Sequence, residues 1–361
     1  MSTRIVQLQK GLERRVALVV EPDLHLLSAP SYYHIVMESL RTGLPVTMVL
    51  KAARSGESLE YDPIYNDQSD WKLLPPLTHI DPAHCLISGT GLTHLGSAKD
   101  RDSMHEKHIE NQKSKIETDL TDSMKMFRWG LEGGKPAAGH IGIAPEWFFK
   151  GSGANLRAHG ERLDVPTYAQ DGGEEAEIVG LYIIDKAGNP LRVGMAQGNE
   201  FSDHVFEKKN YLNLAGSKLR TCSIGPELVI NPDFSTIPGE VSILRPVPQA
   251  STPHSEPPAQ APTSQPEFTS LWSKKLATGE SEMSHSLANI EHHHFKFEAH
   301  RRPGDVHIHY LGTSALSFGE GIRLQDGDIM QVHFENFGRP LRNPLHTALG
   351  TEQLIAVRTL L

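Results

Sequence analysis

EAEIVGLYI, residues 175–183, reads as a strand that opens on two acids. Successive side chains of a strand alternate between its faces, so Glu175 and Glu177 fall on the same side. Two carboxylates held side by side repel each other unless a cation joins them. Residues 191–196 predict a second strand that returns past the first across the turn at 186–189 and brings Glu200 of Gly198-Asn199-Glu200 alongside as a third acid. Three carboxylates with open positions suit a hard divalent ion, Mg2+ first, with Mn2+ or Ca2+ as alternatives. Taken alone, the E-x-E pair fits two exposed glutamates on an edge strand equally well.

On both sides of this hairpin the chain is ordinary globular protein. Its 361 residues, 38% of them hydrophobic, suffice for one large or two modest domains. Lys and Arg number 35 against 44 Asp and Glu, a net charge of −9 with no basic block to track a phosphate backbone, which argues against nucleic acid as a partner. The charged start MSTRIVQLQKGLERRVALVV has no signal-peptide core, and no run approaches the ~20 apolar residues of a membrane helix. Cys85 and Cys222 are therefore expected as reduced thiols in a cytoplasmic protein. Gly151-Ser-Gly153 lacks the third glycine of a dinucleotide fingerprint, and neither a P-loop nor a G-x-S-x-G elbow occurs.

Residues 4–8 and 14–20 alternate as two strands turned at Gly11, and a helix is predicted over 31–43, stopped by Gly43. We expect a smaller N-terminal α/β module, rich in strands, over 1–77, closed by the extended connector LLPP at 73–76, and a second domain over 78–361. Residues 99–126 read as one or two exposed helices. The stretch 246–266 holds seven prolines among Ser, Thr, Gln and Ala, a flexible insertion expected at a hairpin tip. Ser284 is the expected cap of a helix over 285–295 with Leu287, Ile290 and His294 on one face. Consecutive helical residues point about 100° apart, so at most one of His292, His293 and His294 faces any one centre, and a structural role is expected. DVHIHYLGT (305–313) and DGDIMQVHFENFG (326–338) alternate as strands.

Five phrases occur in order: EEAEIVGLYIID (174–185), GNEFSDH (198–204), SKLRTCSIGPEL (217–228), RPGDVHIHYLGT (302–313) and GRPLRNPL (338–345). Together they resemble the core of the fumarylacetoacetate hydrolase superfamily over about residues 80–345. The phrases at 73–102, 217–228 and 283–295 look like its sugar-acid branch, which includes 2-keto-3-deoxypentonate dehydratases. The resemblance implies an α+β, strand-rich fold with a mixed β-sheet roll whose carboxylates open onto one mouth. It places Glu175, Glu177 and Glu200 at a metal, although Glu200 stands where the superfamily commonly has aspartate. It makes Lys218 the active-site lysine, with Ser217 beside it. A lysine next to a dication and away from water has its ammonium form disfavoured, which suits a general base. Gly312 and Thr313 match the loop that holds the substrate carboxylate, and Lys150 matches a lysine that either binds substrate or pairs with a metal carboxylate.

His94 and Glu106 (or Glu110) fall in the lid region, where the hydrolases of this superfamily use a His/Glu pair to activate water. The Asn-Tyr pair usual before that histidine is missing here, which argues against hydrolysis. The expected activity is dehydration of a 2-keto-3-deoxypentonate to 2-oxoglutarate semialdehyde, in a homo-oligomer, dimer or tetramer. A hydrolase of acylpyruvates or 2,4-diketo acids is the alternative, and a non-catalytic sugar-acid binding protein a third reading.

Overall fold

The computed structural model describes residues 2–96, 98–99, 121–247 and 267–360. Glu106 and Glu110, most of the predicted 99–126 helices and most of the proline-rich insertion lie outside the described residues. The strands flanking that insertion, Ile237–Pro246 and Phe268–Thr278, pair antiparallel.

Two sheets make up the body, and the architecture is α+β, rich in strands. Along the larger sheet the order runs Arg54–Glu60, Asp23–Leu27, Glu13–Val20, Thr3–Lys10, Leu228–Ile230, Pro190–Asn199, Ala176–Ile184, Val306–Tyr310, Cys85–Gly89, Phe148–Ser152. Most neighbours are antiparallel, but Val306–Tyr310 runs parallel to Cys85–Gly89, so the sheet is mixed. The smaller sheet has the order Phe268–Thr278, Ile237–Pro246, Ile329–Phe334, Leu341–Thr347, Leu163–Val165. Its strand Ile329–Phe334 buries every second residue, whereas Ala176–Ile184 and Val306–Tyr310 are buried throughout, as expected of strands covered on both faces.

The strands of residues 1–77 are hydrogen-bonded into the larger sheet: Thr3 pairs with Ile230 and Ile5 with Leu228. The first hairpin turns at Gly11, whose φ of +58° favours glycine. The helix Tyr32–Thr42 begins where Ser31 accepts the His34 amide and ends at Gly43, at φ +70°. Its residues Ile35 and Val36 join Val179, Leu181, Ile183, Val306 and Ile308 in one core. On the other side of the central strands, Ile178 and Met195 pack with Val241, Ile243, Met330, Val332 and Ile290. The central hairpin is thus clamped between two apolar layers, and its register is fixed from both faces.

The helix Leu287–Phe295 is capped by Ser286, two residues later than expected, through the Asn289 amide. Ser284 is spent otherwise: its own amide bonds the Thr93 carbonyl. Leu287, Ile290 and His294 do share the buried face, and His292 is exposed. Cys85 and Cys222 are buried free thiols, pushed up to about 12 and about 11 by burial. Among the described residues no helix is long and apolar enough to cross a membrane.

Candidate active site

Ala176–Ile184 pairs with Pro190–Asn199 in a register that sets Ala176 opposite Asn199 and Glu177 opposite Gly198. A side chain at Gly198 would run into Val179 and Tyr310, so only glycine lets the two strands converge there. Asn199 then fixes the exit: its Oδ1 accepts from the amides of Glu175 and Phe201, and the Glu200 amide bonds the Glu175 carbonyl at 2.9 Å. By this means acids 25 residues apart in sequence are held together. One carboxylate oxygen from each of Glu175, Glu177 and Glu200 lies within 4.8 Å of the others, and all three residues are buried.

Lys218 closes the short helix Leu214–Lys218 and is fully buried. Its Nζ donates to Glu175 Oε1 and Glu200 Oε2, both at 2.5 Å, and stands 4.8 Å from the centre of the Phe148 ring. Lys150, on Phe148–Ser152, is equally buried. Its Nζ pairs with Glu200 Oε1 at 2.6 Å and donates to the carbonyls of Phe201 and Lys218, so of the two expectations for this lysine the geometry shows the carboxylate pair. Lys218 between two carboxylates, and Lys150 with one carboxylate and two backbone carbonyls, are paired and hydrogen-bonded as a buried charge must be to be tolerable.

The three acids differ in electrostatic state. Burial alone would raise Glu175, but the Lys218 ammonium and the His204 imidazole hold its carboxyl well below the usual range. Glu177 is pushed well above that range, by burial first and then by Glu200 and Glu175. Glu200 is raised by burial, with Lys150 and Lys218 offsetting part of it. Glu177 meets the Gly312 amide at 2.7 Å instead of a lysine. A hard divalent cation fits this donor set, because three carboxylate oxygens lie within 4.8 Å of one another and, among the described residues, Glu177 has no cationic side chain bonded to it.

Gly312 has φ +98°, and a Cβ there would lie 1.9 Å from Thr93 Oγ1. The backbone approach that carries its amide to Glu177 therefore demands glycine. The Thr313 hydroxyl is buried and turned onto its own loop, donating to the Ala315 carbonyl. Ser217 Oγ contacts the Leu214 carbonyl at 2.7 Å and Glu207 at 3.4 Å. His94 is buried with Nδ1 at Thr93 Oγ1 and Nε2 at Thr278 Oγ1, and burial pushes it down to about 4.

Three groups at this centre escaped the reading of the sequence. His204 Nε2 lies 3.1 Å from Glu175 Oε1, and although burial opposes its charge, that carboxylate holds its pKa above the usual value. The signal was its place four residues after Glu200 in GNEFSDH, but nothing in one sequence says that it turns back to Glu175. Glu174 is fully buried and accepts from both the amide and the hydroxyl of Ser317. Asp203 caps the helix His204–Lys209 through the Phe206 amide and pairs with Arg220 at 2.9 Å.

The chain matches no protein-family model and no curated protein sequence. It is similar to solved structures of 2-keto-3-deoxyarabinonate dehydratase: one in a hexagonal crystal form, with a TM-score of 0.66 at 16% identity over 96% of this chain and 100% of that one. Another, 2-keto-3-deoxy-D-arabinonate dehydratase complexed with magnesium and 2,5-dioxopentanoate, gives a TM-score of 0.64 at 16% identity over 96% of this chain and 99% of that one. A 5-carboxymethyl-2-hydroxymuconate delta-isomerase from Mycobacterium smegmatis gives 0.51 at 13% identity over 96% and 100%. The fold is therefore that of these dehydratase and isomerase structures.

Proposed function

We propose that this chain is a metal-dependent hydro-lyase that converts a 2-keto-3-deoxypentonate to 2-oxoglutarate semialdehyde on a mixed β-sheet roll. The observation that carries the reading is the buried meeting of Glu175, Glu177 and Glu200 with the Lys218 ammonium. The product class is supported by the magnesium-bound neighbour, because its 2,5-dioxopentanoate is the semialdehyde of 2-oxoglutarate. Glu175, Glu177 and Glu200 would hold a divalent ion, Mg2+ before Mn2+ or Ca2+, which when bound supplies Lewis acidity to a 2-keto acid.

The chain's own residues handle the protons and the orientation. Lys218 takes a proton from C3 once its Nζ has given up the contacts with Glu175 and Glu200 and released its own extra proton to solvent, leaving the neutral amine. The C3–H electron pair forms the C3=C4 bond as the C4 hydroxyl leaves; with a proton from Glu106, it departs as water. Lys218, now protonated, returns its proton to C3 while the Glu106 carboxylate, left without its proton, takes one from C5. The double bond moves to C4=C5, and the resulting enol becomes the C5 aldehyde as its hydroxyl proton is lost and C4 gains the one held by Glu106. Lys150 fixes Glu200, the Gly312 amide fixes Glu177, and Thr313, once its hydroxyl leaves the Ala315 carbonyl, receives the substrate carboxylate, with Ser217 as a further contact to substrate.

Incubation with Mg2+ and 2-keto-3-deoxypentonates of both C4 configurations tests this reading, with an acylpyruvate in parallel. Semialdehyde formed from a pentonate is the expected result. Pyruvate plus a carboxylic acid formed from the acylpyruvate, with the pentonates untouched, would establish the hydrolase instead.

A further inference from the structure

After Thr347 the chain leaves the smaller sheet. The Ala348 amide bonds the Val165 carbonyl, and residues 349–360 then run without secondary structure, every one of them exposed. Their composition does not suit water. Leu349, Leu354, Ile355, Val357 and Leu360 are each at least 83% exposed, and the sole charges are Glu352 and Arg358. Scattered surface leucines are ordinary, but a contiguous, nearly neutral apolar segment marks an interaction site. Leu354-Ile355-Ala356-Val357 is moreover strand-forming sequence without a strand partner.

The same molecule has a second unfinished feature. Phe268–Thr278 is an eleven-residue strand at the edge of the five-stranded sheet, with Phe268 and Leu271 exposed on it. Among the described residues nothing pairs with its outer side. Long edges with apolar side chains are normally covered, because their free N–H and C=O groups attract another strand. The segment departs beside Leu163–Val165, at the opposite edge of that sheet. To reach its own Phe268–Thr278 it would have to cross the face of the sheet and turn back, whereas a second copy related by a two-fold axis parallel to the strands brings its Phe268–Thr278 edge beside the departing segment.

We propose that residues 349–360 are an exchange arm that adds as a strand to Phe268–Thr278 of a second copy of this chain, each copy giving one arm and receiving one. Twelve extended residues reach about 40 Å, and a ribbon about 10 Å wide covers on the order of 400 Å². Two arms, counted on both contacting surfaces, bury roughly 1,600 Å², the size of a standard stable interface. The exchange is self-complementary and closes at two copies, so it does not propagate into a fibre.

Light scattering on full-length, Mg2+-loaded protein at micromolar concentration tests this, together with hydrogen exchange of residues 349–360. The expected result is a dimer, or a multiple of it, with arm amides whose protection falls on dilution. Stopping the chain after Ala348, or combining Leu354→Asp with Val357→Asp, should raise the dimer dissociation constant on the order of 100-fold. Leu271→Lys should weaken it in the same direction. A monomeric wild type, arm amides that exchange freely at every concentration, or arm variants that keep the wild-type mass would each overturn the proposal. Normal assembly of the Leu271→Lys protein would overturn the receiving edge.

Discussion

Lys218 Nζ stands 2.5 Å from Glu200 Oε2 and reaches Glu175 at the same distance, so one ammonium bridges two of the three acids that a divalent ion would use. The lysine and an ion compete for the same oxygens. Each compensates the buried charge that the other leaves behind, and removing one partner of a buried pair commonly costs about 3–5 kcal/mol.

Lys218→Met should therefore lower the melting temperature of metal-free protein by several degrees, and saturating Mg2+ should restore most of the loss. Glu177→Gln should do the reverse, keeping or raising metal-free stability because it removes a carboxylate whose ionisation burial disfavours, while weakening Mg2+ binding. Thermal melts with and without Mg2+, plus calorimetric titration, give both readouts. A Glu177→Gln protein that binds Mg2+ as wild type does would remove Glu177 from the metal centre.

Gly312→Ala should cost on the order of 3 kcal/mol or more, since alanine at φ +98° is strained and its Cβ would meet Thr93 Oγ1 at 1.9 Å. The same shift pulls the amide away from Glu177, so Mg2+ affinity should fall with stability. Urea unfolding checks the first effect; a change under about 1 kcal/mol would mean that the loop has room to move.

Acid should destabilise the fold through histidines outside the carboxylate centre. Burial pushes His94 and His307 down to about 4 and His309 down to about 3. Their folded values lie below the ordinary value of about 6.5, so the neutral rings stabilise the fold above that pH, and the contribution is lost as pH falls from about 6.5 towards 4 and 3. In that window each histidine costs up to about 1.4 kcal/mol per pH unit. His309 shows why: its ring nitrogens are taken by the hydroxyls of Ser88 and Thr90, and His307 and His300 lie close by. Unfolding free energies that stay level between pH 6.5 and 5 would contradict this.

The carboxylate centre was legible in the sequence because local rules decide it. Period-two alternation aligns Glu175 with Glu177, and one hairpin brings Glu200 back beside them. Lys218 stood out by its place before the turn at Gly225-Pro226. His204 and Glu174 were not legible, because each depends on a partner supplied by tertiary packing: Glu175 for His204 and Ser317 for Glu174. The same holds for Thr3–Lys10, whose alternation predicts a strand but whose partner Leu228–Ile230 lies over two hundred residues away. The cap at Ser286 shows the limit at short range: both Ser284 and Ser286 carry a suitable hydroxyl, but only that of Ser286 meets a helix amide, while the Ser284 hydroxyl bonds no group among the described residues.

The central claim, that Lys218 moves the C3 proton, is tested most directly with pyruvate, whose methyl group corresponds to C3 and which has no hydroxyl to lose. In D2O with saturating Mg2+, wild-type protein should exchange the methyl protons, followed by proton NMR. Lys218→Met should bind Mg2+ and pyruvate yet exchange at least about 100-fold more slowly, the scale of a lost general base. Equal exchange by the two proteins would contradict the account and move the base elsewhere in the site.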